Sequence, residues 1–249
     1  MIIMSNETLK DAVLTVNSEN INYPISNILN TSIKRLSQTI AGTTTMTIVF
    51  DAGAAVTVNS INIAAHNISS GVTTLDFQGN ATDAWGAPSV DEDLTGLWNT
   101  GIISSQFTGG SYRYWRLNII DAGNTDTFIS LGRVSGCDAL TSPALSPDVS
   151  RSYKSDTEKV RSNAGNSFGN IYPKYRTISI QWKKLTAANV AALETFFDQV
   201  DSSIPFFVFF DETDLDFTIY ATIDGDGIHT AYLRKSTFQK GALAFIEEL

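Results

Sequence analysis

The N-terminal half contains a long alternating segment, Tyr112-Arg113-Tyr114-Trp115-Arg116-Leu117-Asn118-Ile119-Ile120. Its alternation places Trp115, Leu117 and Ile119 on one face of a β-strand, which is the pattern of a half-buried strand. Shorter segments such as Met46-Thr47-Ile48-Val49-Phe50 repeat this period between turns rich in Gly and Asn. No segment before residue 140 has a helical period. The sequence therefore predicts a mainly β protein whose residues 1–140 form an antiparallel β-sandwich.

The C-terminal half mixes two periods and predicts a smaller α+β domain over residues 166–249, an antiparallel sheet with one helix. A strand is indicated by Ile178, Ile180 and Trp182, which share one face. Thr186 is a suitable N-cap for a helix that follows directly. The apolar residues at helical spacing are Val190, Leu193, Phe197 and Val200. The run Phe206–Phe210 predicts a strand buried on both faces.

Residues 141–165 separate these two halves. This segment contains Pro143 and Pro147 and is poor in apolar residues. We predict that it is a linker or a loop that orders on assembly.

Composition and charge exclude several classes of protein. The chain has 249 residues, 17 basic and 26 acidic side chains and a formal charge of −9, so a general nucleic-acid binder is disfavoured. The N-terminus lacks the basic and hydrophobic regions of a signal peptide, and the longest apolar run, residues 204–210, is too short to span a membrane. We expect a protein made in a cytoplasm, with no membrane insertion.

Catalytic and cofactor chemistry is not indicated. Cys137 is the single cysteine, so an intramolecular disulfide is excluded, and a Cys/His zinc site lacks its four ligands. His66 and His229 are the two histidines, and neither lies in a recognisable catalytic motif. We interpret His66 as capping a turn, His229 as part of a hairpin and Cys137 as a small core residue. The prediction is a protein that is not an enzyme and needs no cofactor.

Two tryptophans are candidates for sugar binding. Trp85 and Trp98 lie in a turn-rich stretch, where aromatic rings can stack on the apolar faces of sugars. The alternative is that one or both close the bottom of the sandwich.

Opposite charges indicate an assembly interface in the second half. Residues 151–184 contain eight basic and two acidic side chains, whereas residues 211–226 contain six acidic and no basic ones. These patches would meet between neighbouring subunits in a head-to-tail ring. Neutralisation within one domain, or simple hydration, is the alternative. The candidate interface residues are Arg151, Lys154, Lys159, Arg161, Asp211, Glu212, Asp214 and Asp216.

Five segments together resemble the discoidin-type, galactose-binding-like jelly roll over roughly residues 10–140. They are Tyr23–Asn30, Thr45–Gly53, Val58–Ile63, His66-Asn67 and Tyr112–Leu117. The resemblance implies an eight-stranded sandwich whose loops at one end often bind glycans or other surfaces. It also implies that a structural calcium ion can be present. The acidic clusters Asp91–Asp93 and Asp211–Asp216 invite that interpretation, with solvated turns as the alternative.

The second half resembles the C-terminal parts of tail-tip and tail-tube-associated proteins of long-tailed bacteriophages. The residues concerned are Gly169–Trp182, Leu193–Phe197 and Pro205–Phe207. The resemblance implies a structural protein of a phage tail tip or baseplate in the virion, with other tail proteins as partners and a homo-oligomeric ring. The jelly roll would then bind host-surface polysaccharide. A free carbohydrate-binding protein is the alternative, and an enzyme acting on glycans stands third.

Overall fold

The computed structural model describes residues 3–141, 148–155, 159–161, 167–169, 173–200, 202–209, 218–225, 229–232 and 239–248. Its residues divide into two units, one formed by Met1–Ser142 with Phe206–Ile219 and the other by Pro143–Pro205 with Tyr220–Leu249. Strands dominate both units, and the helix of the second unit is the one α-helix in the described part of the chain. The predicted fold class, mainly β with a sandwich and a smaller α+β unit, is confirmed.

The strands up to residue 141 are short except for two. The first four are β1 (Ile3–Glu7), β2 (Val13–Val16), β3 (Ser37–Gln38) and β4 (Thr45–Ala64). The next five are β5 (Thr74–Asn80), β6 (Val90–Asp93), β7 (Ile102–Ile120), β8 (Ser130–Leu131) and β9 (Arg133–Thr141). Short 3-10 helices lie at Ile25–Leu29 and Thr95–Leu97.

The later strands lie before and after the helix along the chain. They are β10 (Asp148–Ser155), β11 (Lys159–Arg161), β12 (Ser167–Gly169), β13 (Lys174–Leu185), β14 (Phe206–Phe209), β15 (Thr218–Ile223), β16 (His229–Tyr232) and β17 (Gln239–Glu247). The helix α1 spans Ala187–Val200, between β13 and β14.

The long strands β4 and β7 organise the first unit. They pair antiparallel from Thr45 opposite Ile120 to Ala64 opposite Ile102, with irregularities near Gly53 and Val58. In the part of the ladder near Thr45 and Ile120, β2 pairs with the other edge of β4. In the same part, β5, the first strand of the β5–β6 hairpin, pairs with the other edge of β7. Along the second half of β4, β9 is added, followed by β1 and β14. Side chains from both halves enter one core, so the bent ladder encloses it as a sandwich.

Trp115 lies at the centre of that core. Its ring is stacked on Phe77, with centroids 5.4 Å apart and planes inclined by 12°. The neighbouring inward position on β5 is Gly79, where a Cβ atom would lie 2.6 Å from the Trp115 ring. The alternation in the sequence correctly predicted that Trp115 is buried. Gly79 leaves the space that the indole fills.

An ion pair lies beneath the surface of this unit. Arg133 on β9 binds Glu7 on β1, and both side chains are largely buried. Desolvation outweighs the attraction of Arg133 and raises the pKa of Glu7 to about 7. Cys137, also on β9, is fully buried, as predicted for a core residue.

In the second unit, β13 pairs with β10 on one side and β17 on the other, and β17 also pairs with β15 and β16. Trp182 is buried, as the alternation predicted. The Oγ1 atom of Thr186 accepts a hydrogen bond from the Asn189 N–H at 3.2 Å, which is the predicted N-cap.

The buried stripe of α1 differs by one residue from the predicted set. It consists of Val190, Leu193, Phe196 and Val200, whereas Phe197 is half-buried. At about 100° per residue, Phe197 lies between Val190 and Leu193 around the helix, whereas Phe196 lies at the edge of the stripe, beyond Val200. Periodicity therefore favours Phe197, and packing selects Phe196 instead.

Two segments differ from the predicted organisation. Within residues 141–165, the sequence predicted a linker or assembly loop, but Asp148–Ser155 forms β10 and pairs with β13 over eight residues. Phe206–Phe209 is buried as predicted, yet it pairs with β1 and is grouped with the first unit. Both differences depend on partner strands that are distant in sequence.

Within the described residues, we find no helix long and apolar enough to cross a membrane.

Replacing Gly79 tests the packing of the sandwich core. Gly79→Ala should lower the free energy of unfolding by about 1–3 kcal/mol, because the added methyl group displaces the Trp115 ring. Gly123→Ala is the matched control, since a Cβ there meets no atom within 4 Å. Urea unfolding of both variants checks the prediction, and equal midpoints for the two would contradict it.

Candidate functional site

Trp85 lies in the loop between β5 and β6. Its Nε1–H donates a hydrogen bond of 2.7 Å to Asp83, and the Arg116 guanidinium lies 4.6 Å from the centre of its ring. Arg116 Nε donates to Gln78 Oε1 at 2.8 Å, and Gln78 Nε2 donates to Asp91 at 2.7 Å. Trp85 is thus fixed over the polar outer face of β5, β6 and β7, with one ring face occupied by a cation.

Acidic side chains surround Arg116 on this outer face. Asp76 is paired across the strands with Asp93 and with Asn118. Burial and the nearby charges of Asp91 and Asp93 raise the pKa of Asp76. The described residues nevertheless include no cluster of three or more His, Cys, Asp or Glu side chains that could hold a metal ion.

Trp98 occupies a different place. It follows β6, is half-buried against the sandwich core and donates its Nε1–H to the Ile68 carbonyl at 2.9 Å. Trp85 therefore lies at the turn of the β5–β6 hairpin, and Trp98 lies beyond its opposite end. A strand as long as β5 spans about 20 Å, so the two rings do not form one binding site.

Three loops meet where Trp98 lies, and we call residues 65–73, 94–101 and 121–129 the loop end. Hydrogen bonds join all three. Trp98 bonds to Ile68, Ser69 Oγ donates to Asp121 at 2.6 Å, and Asn124 Nδ2 donates to the Asn67 carbonyl at 2.9 Å. These bonds fix the loops relative to one another.

The backbone of the loop end is strained at two residues. Ala65 has a φ of 53° and Thr127 a φ of 58°, and no other non-glycine residue in the described part of the chain has a positive φ. Such conformations are unfavourable for residues that carry a Cβ, and they often occur at functional sites. Asn67 holds the strained segments together, because its Oδ1 accepts from the Ser130 N–H at 2.7 Å and its Nδ2 donates to the Phe128 carbonyl at 2.9 Å.

His66 is the unusual side chain of this region. Both ring nitrogens are shielded from solvent, and neither has a hydrogen-bond partner of normal geometry among the described residues. The imidazole lies beside the backbone of Asn99, which follows Trp98 in sequence. Burial lowers the pKa of His66, and the Asn99 contact offsets this only in part. The ring is therefore neutral at pH 7 and offers one donor and one acceptor.

The sequence interpretation gave His66 as a residue that caps a turn and did not include it among the candidate site residues. It lies within the His66-Asn67 pair that contributed to the jelly-roll resemblance, and this pair was the available signal. The burial of its ring nitrogens depends on loops that meet only in the folded chain.

The predicted assembly residues fall into three groups. Arg151 and Lys154 are exposed on β10. Lys159 and Arg161 belong to β11, where the described structure is limited to the backbone. Asp211, Glu212, Asp214 and Asp216 lie outside the described residues, as does the acidic cluster that they form.

Comparison with known proteins gives similarity to solved structures only. No family model matches the chain, and no curated protein matches it. Chitosan-binding module 1 from the chitosanase/glucanase of Paenibacillus sp. IK-5 is 17% identical, with a TM-score of 0.42, over 54% of this chain and 98% of the module.

Two further solved structures have the same degree of similarity. The family 32 carbohydrate-binding module of C. perfringens NanJ, in complex with galactose, is 15% identical (TM-score 0.43, 53% of this chain and 98% of that one). The lectin domain of lectinolysin, complexed with Lewis B antigen, is 12% identical (TM-score 0.43, 55% and 97%). The tail-tip role predicted from residues 166–249 gains no support from these structures and stays a prediction.

The buried imidazole predicts a pH dependence of stability. Because folding lowers the pKa of His66, the unfolded chain binds more protons below about pH 6.5, and stability should fall as the pH falls through this range. We expect wild type to lose stability relative to His66→Gln between pH 7 and pH 5, as measured by urea unfolding. A pH-independent difference between the two proteins would show that His66 titrates normally.

Proposed function

We propose that the first unit binds a glycan at the loop end, with His66 and Trp98 as its central residues. The observation that carries this proposal is the buried His66 imidazole, whose nitrogens make no hydrogen bond of normal geometry among the described residues and which lies beside the Asn99 backbone, next to Trp98. An unpaired buried polar atom costs free energy, so a ligand that supplies the missing hydrogen bonds is favoured there.

The chemistry of the loop end fits a neutral sugar. A neutral imidazole donates from one nitrogen and accepts at the other, which complements hydroxyl groups that do both. The half-buried indole of Trp98 supplies an aromatic surface against which a sugar ring can pack. Because the His66 nitrogens are shielded from solvent, the loops have to part over the imidazole for a sugar to reach it, while the hydrogen bonds among the loops keep the rest of the loop end in place.

Binding fits this geometry better than catalysis. Nucleophilic catalysis needs a base hydrogen-bonded to a nucleophile, and His66 has no such partner among the described residues. The proposed function also agrees with the resemblance of residues 10–140 to the discoidin-type jelly roll, whose loops at one end often bind glycans. A place in a phage tail remains a separate hypothesis that rests on the resemblance of residues 166–249.

Trp85 is the weaker of the two predicted sugar-binding residues. Arg116 already covers one face of its ring, and Asp83 already accepts its N–H. A sugar at this position would have to displace these contacts or use the remaining ring face.

Paired substitutions test the proposal. Using the full chain on an array of neutral glycans and then calorimetry on the best ligand, His66→Gln should weaken binding at least about tenfold, because loss of hydrogen bonds to buried groups is costly. Trp98→Phe keeps an aromatic ring in place and should also weaken binding. Trp85→Ala is the matched control at the other end of the hairpin and should bind like wild type.

The same three variants can also contradict the proposal. If Trp85→Ala abolishes binding while His66→Gln leaves it unchanged, the sugar site lies on the outer face of β5–β7 and the loop end is not involved. Circular dichroism of each variant shows that the fold is retained.

A further inference from the structure

Tyr23 presents an exposed aromatic ring on the first unit. The residue is 41% exposed, and its side chain makes no ring contact, ion contact or hydrogen bond with the described residues. Among the large hydrophobic residues that are exposed in the described part of this unit, it is the one aromatic. Trp85 differs, because one face of its ring and its N–H are already occupied. The Tyr23 ring is therefore available to pack against a ligand.

The backbone holds Tyr23 in a fixed position. Its N–H donates to the Asn20 carbonyl at 2.8 Å and closes a turn, and its carbonyl accepts from the Gln38 N–H at 3.1 Å. Pro24 follows, and the residue before a proline is restricted to extended conformations. Little backbone entropy is lost when a ligand binds to a residue that is already ordered in this way.

A row of paired segments joins Tyr23 to the loop end. Beyond its bond to Tyr23, Gln38 on β3 is paired with Ser130 on β8. The Ser130 N–H donates to Asn67 Oδ1 at 2.7 Å, and the Asn67 N–H donates to the Ser130 carbonyl at 3.2 Å. We call Tyr23, Gln38, Ser130 and Asn67 the Tyr23 row. Neighbouring segments in such a row are about 5 Å apart, so Tyr23 lies about 15 Å from Asn67, which adjoins His66.

The Tyr23 row contains polar groups that the protein does not use. The half-buried side-chain amide of Gln38 makes no hydrogen bond with the described residues. The Ser130 hydroxyl is buried and also has no partner there. Unused buried groups of this kind cost free energy, and a ligand rich in hydroxyl groups can bond to them. All four residues of the row are uncharged, which suits a neutral ligand.

We infer that the glycan site is extended and binds a linear neutral oligosaccharide, with one sugar at His66 and Trp98 and a distal sugar stacked on Tyr23. The sugars between them would bond to Gln38. This inference rests on the proposed glycan-binding function and adds the length of the ligand to it. One sugar ring is too short to bridge the distance of about 15 Å along the row. Tyr23 therefore contributes to the binding of longer chains and not to the binding of a monosaccharide.

The dependence of affinity on chain length tests the inference in the full chain. The probes are linear oligomers of glucose, galactose, mannose and N-acetylglucosamine, each from the monosaccharide to the hexasaccharide. An array identifies the sugar that binds, and calorimetry then measures each length. In wild type, affinity should rise from the monosaccharide to the longer chains. Tyr23→Ala should weaken binding of the longer chains about three- to tenfold, because a stacking contact is lost, and leave monosaccharide affinity unchanged.

Two further variants serve as controls. Tyr23→Phe keeps the aromatic ring and should keep the gain in affinity with length. Tyr153→Ala removes an exposed tyrosine of the second unit and should bind every length like wild type. Gln38→Ala is a second test within the row and should weaken binding of the longer chains alone. Circular dichroism of each variant shows that the fold is retained.

The outcomes separate this inference from the proposed function. Equal wild-type affinity for the monosaccharide and the hexasaccharide would overturn the extended site and leave binding at His66 in place. An unchanged gain with length in both Tyr23→Ala and Gln38→Ala would do the same. A wild-type protein that binds no probe of any length would overturn the extended site together with the proposed function. The expected combination is loss of binding at every length in His66→Gln and loss of the length-dependent gain alone in Tyr23→Ala.

Discussion

The first unit is built on the antiparallel pairing of β4 with β7. These strands are long enough to contribute to both layers of the sandwich, so β2, β5 and β9 are placed by the half of the ladder that each joins, and β1, β6 and β14 follow from those strands. At the bend, the two irregularities of the ladder each contain a glycine, which has no side chain. Gly53 adopts a φ of 74° at the first irregularity, and a Cβ on Gly109 would meet the Val58 carbonyl at the second.

Local patterns predicted the features that depend on a single strand or helix. The period of two correctly predicted that Trp115 and Trp182 are buried. When one face of a strand lies on a core, alternate side chains must point into that core. The N-cap at Thr186 followed from local hydrogen bonding. The same reasoning failed for Phe197 and for the partner of Phe206–Phe209, because both outcomes depend on packing against elements distant in sequence.

The candidate site depended still more on tertiary structure. Trp85 and Trp98 are close in sequence, and both lie in turn-rich segments. In the structure, however, Trp85 lies at the turn of the β5–β6 hairpin and Trp98 lies beyond the other end of that hairpin. His66 is polar and follows a strand, which favours a turn residue when the sequence is considered alone. In the folded chain both ring nitrogens of His66 are buried, and the imidazole lies beside the Asn99 backbone. Burial of a polar atom is a property of the assembled loops, and no single segment encodes it.

The β4–β7 ladder also explains why His66 and Trp98 lie at the same end of the first unit. Ala64, the last residue of β4, is paired with Ile102, the first residue of β7. His66 follows that pair closely along the chain and Trp98 shortly precedes it, so the ladder brings both residues to the loop end. The long strands therefore fix the ends of the loops, while the hydrogen bonds from Trp98 to Ile68 and from Asn124 to Asn67 fix their paths. A substitution that shifts the register of β4 against β7 would move both residues of the proposed glycan site, whereas one in the β5–β6 turn would leave them in place.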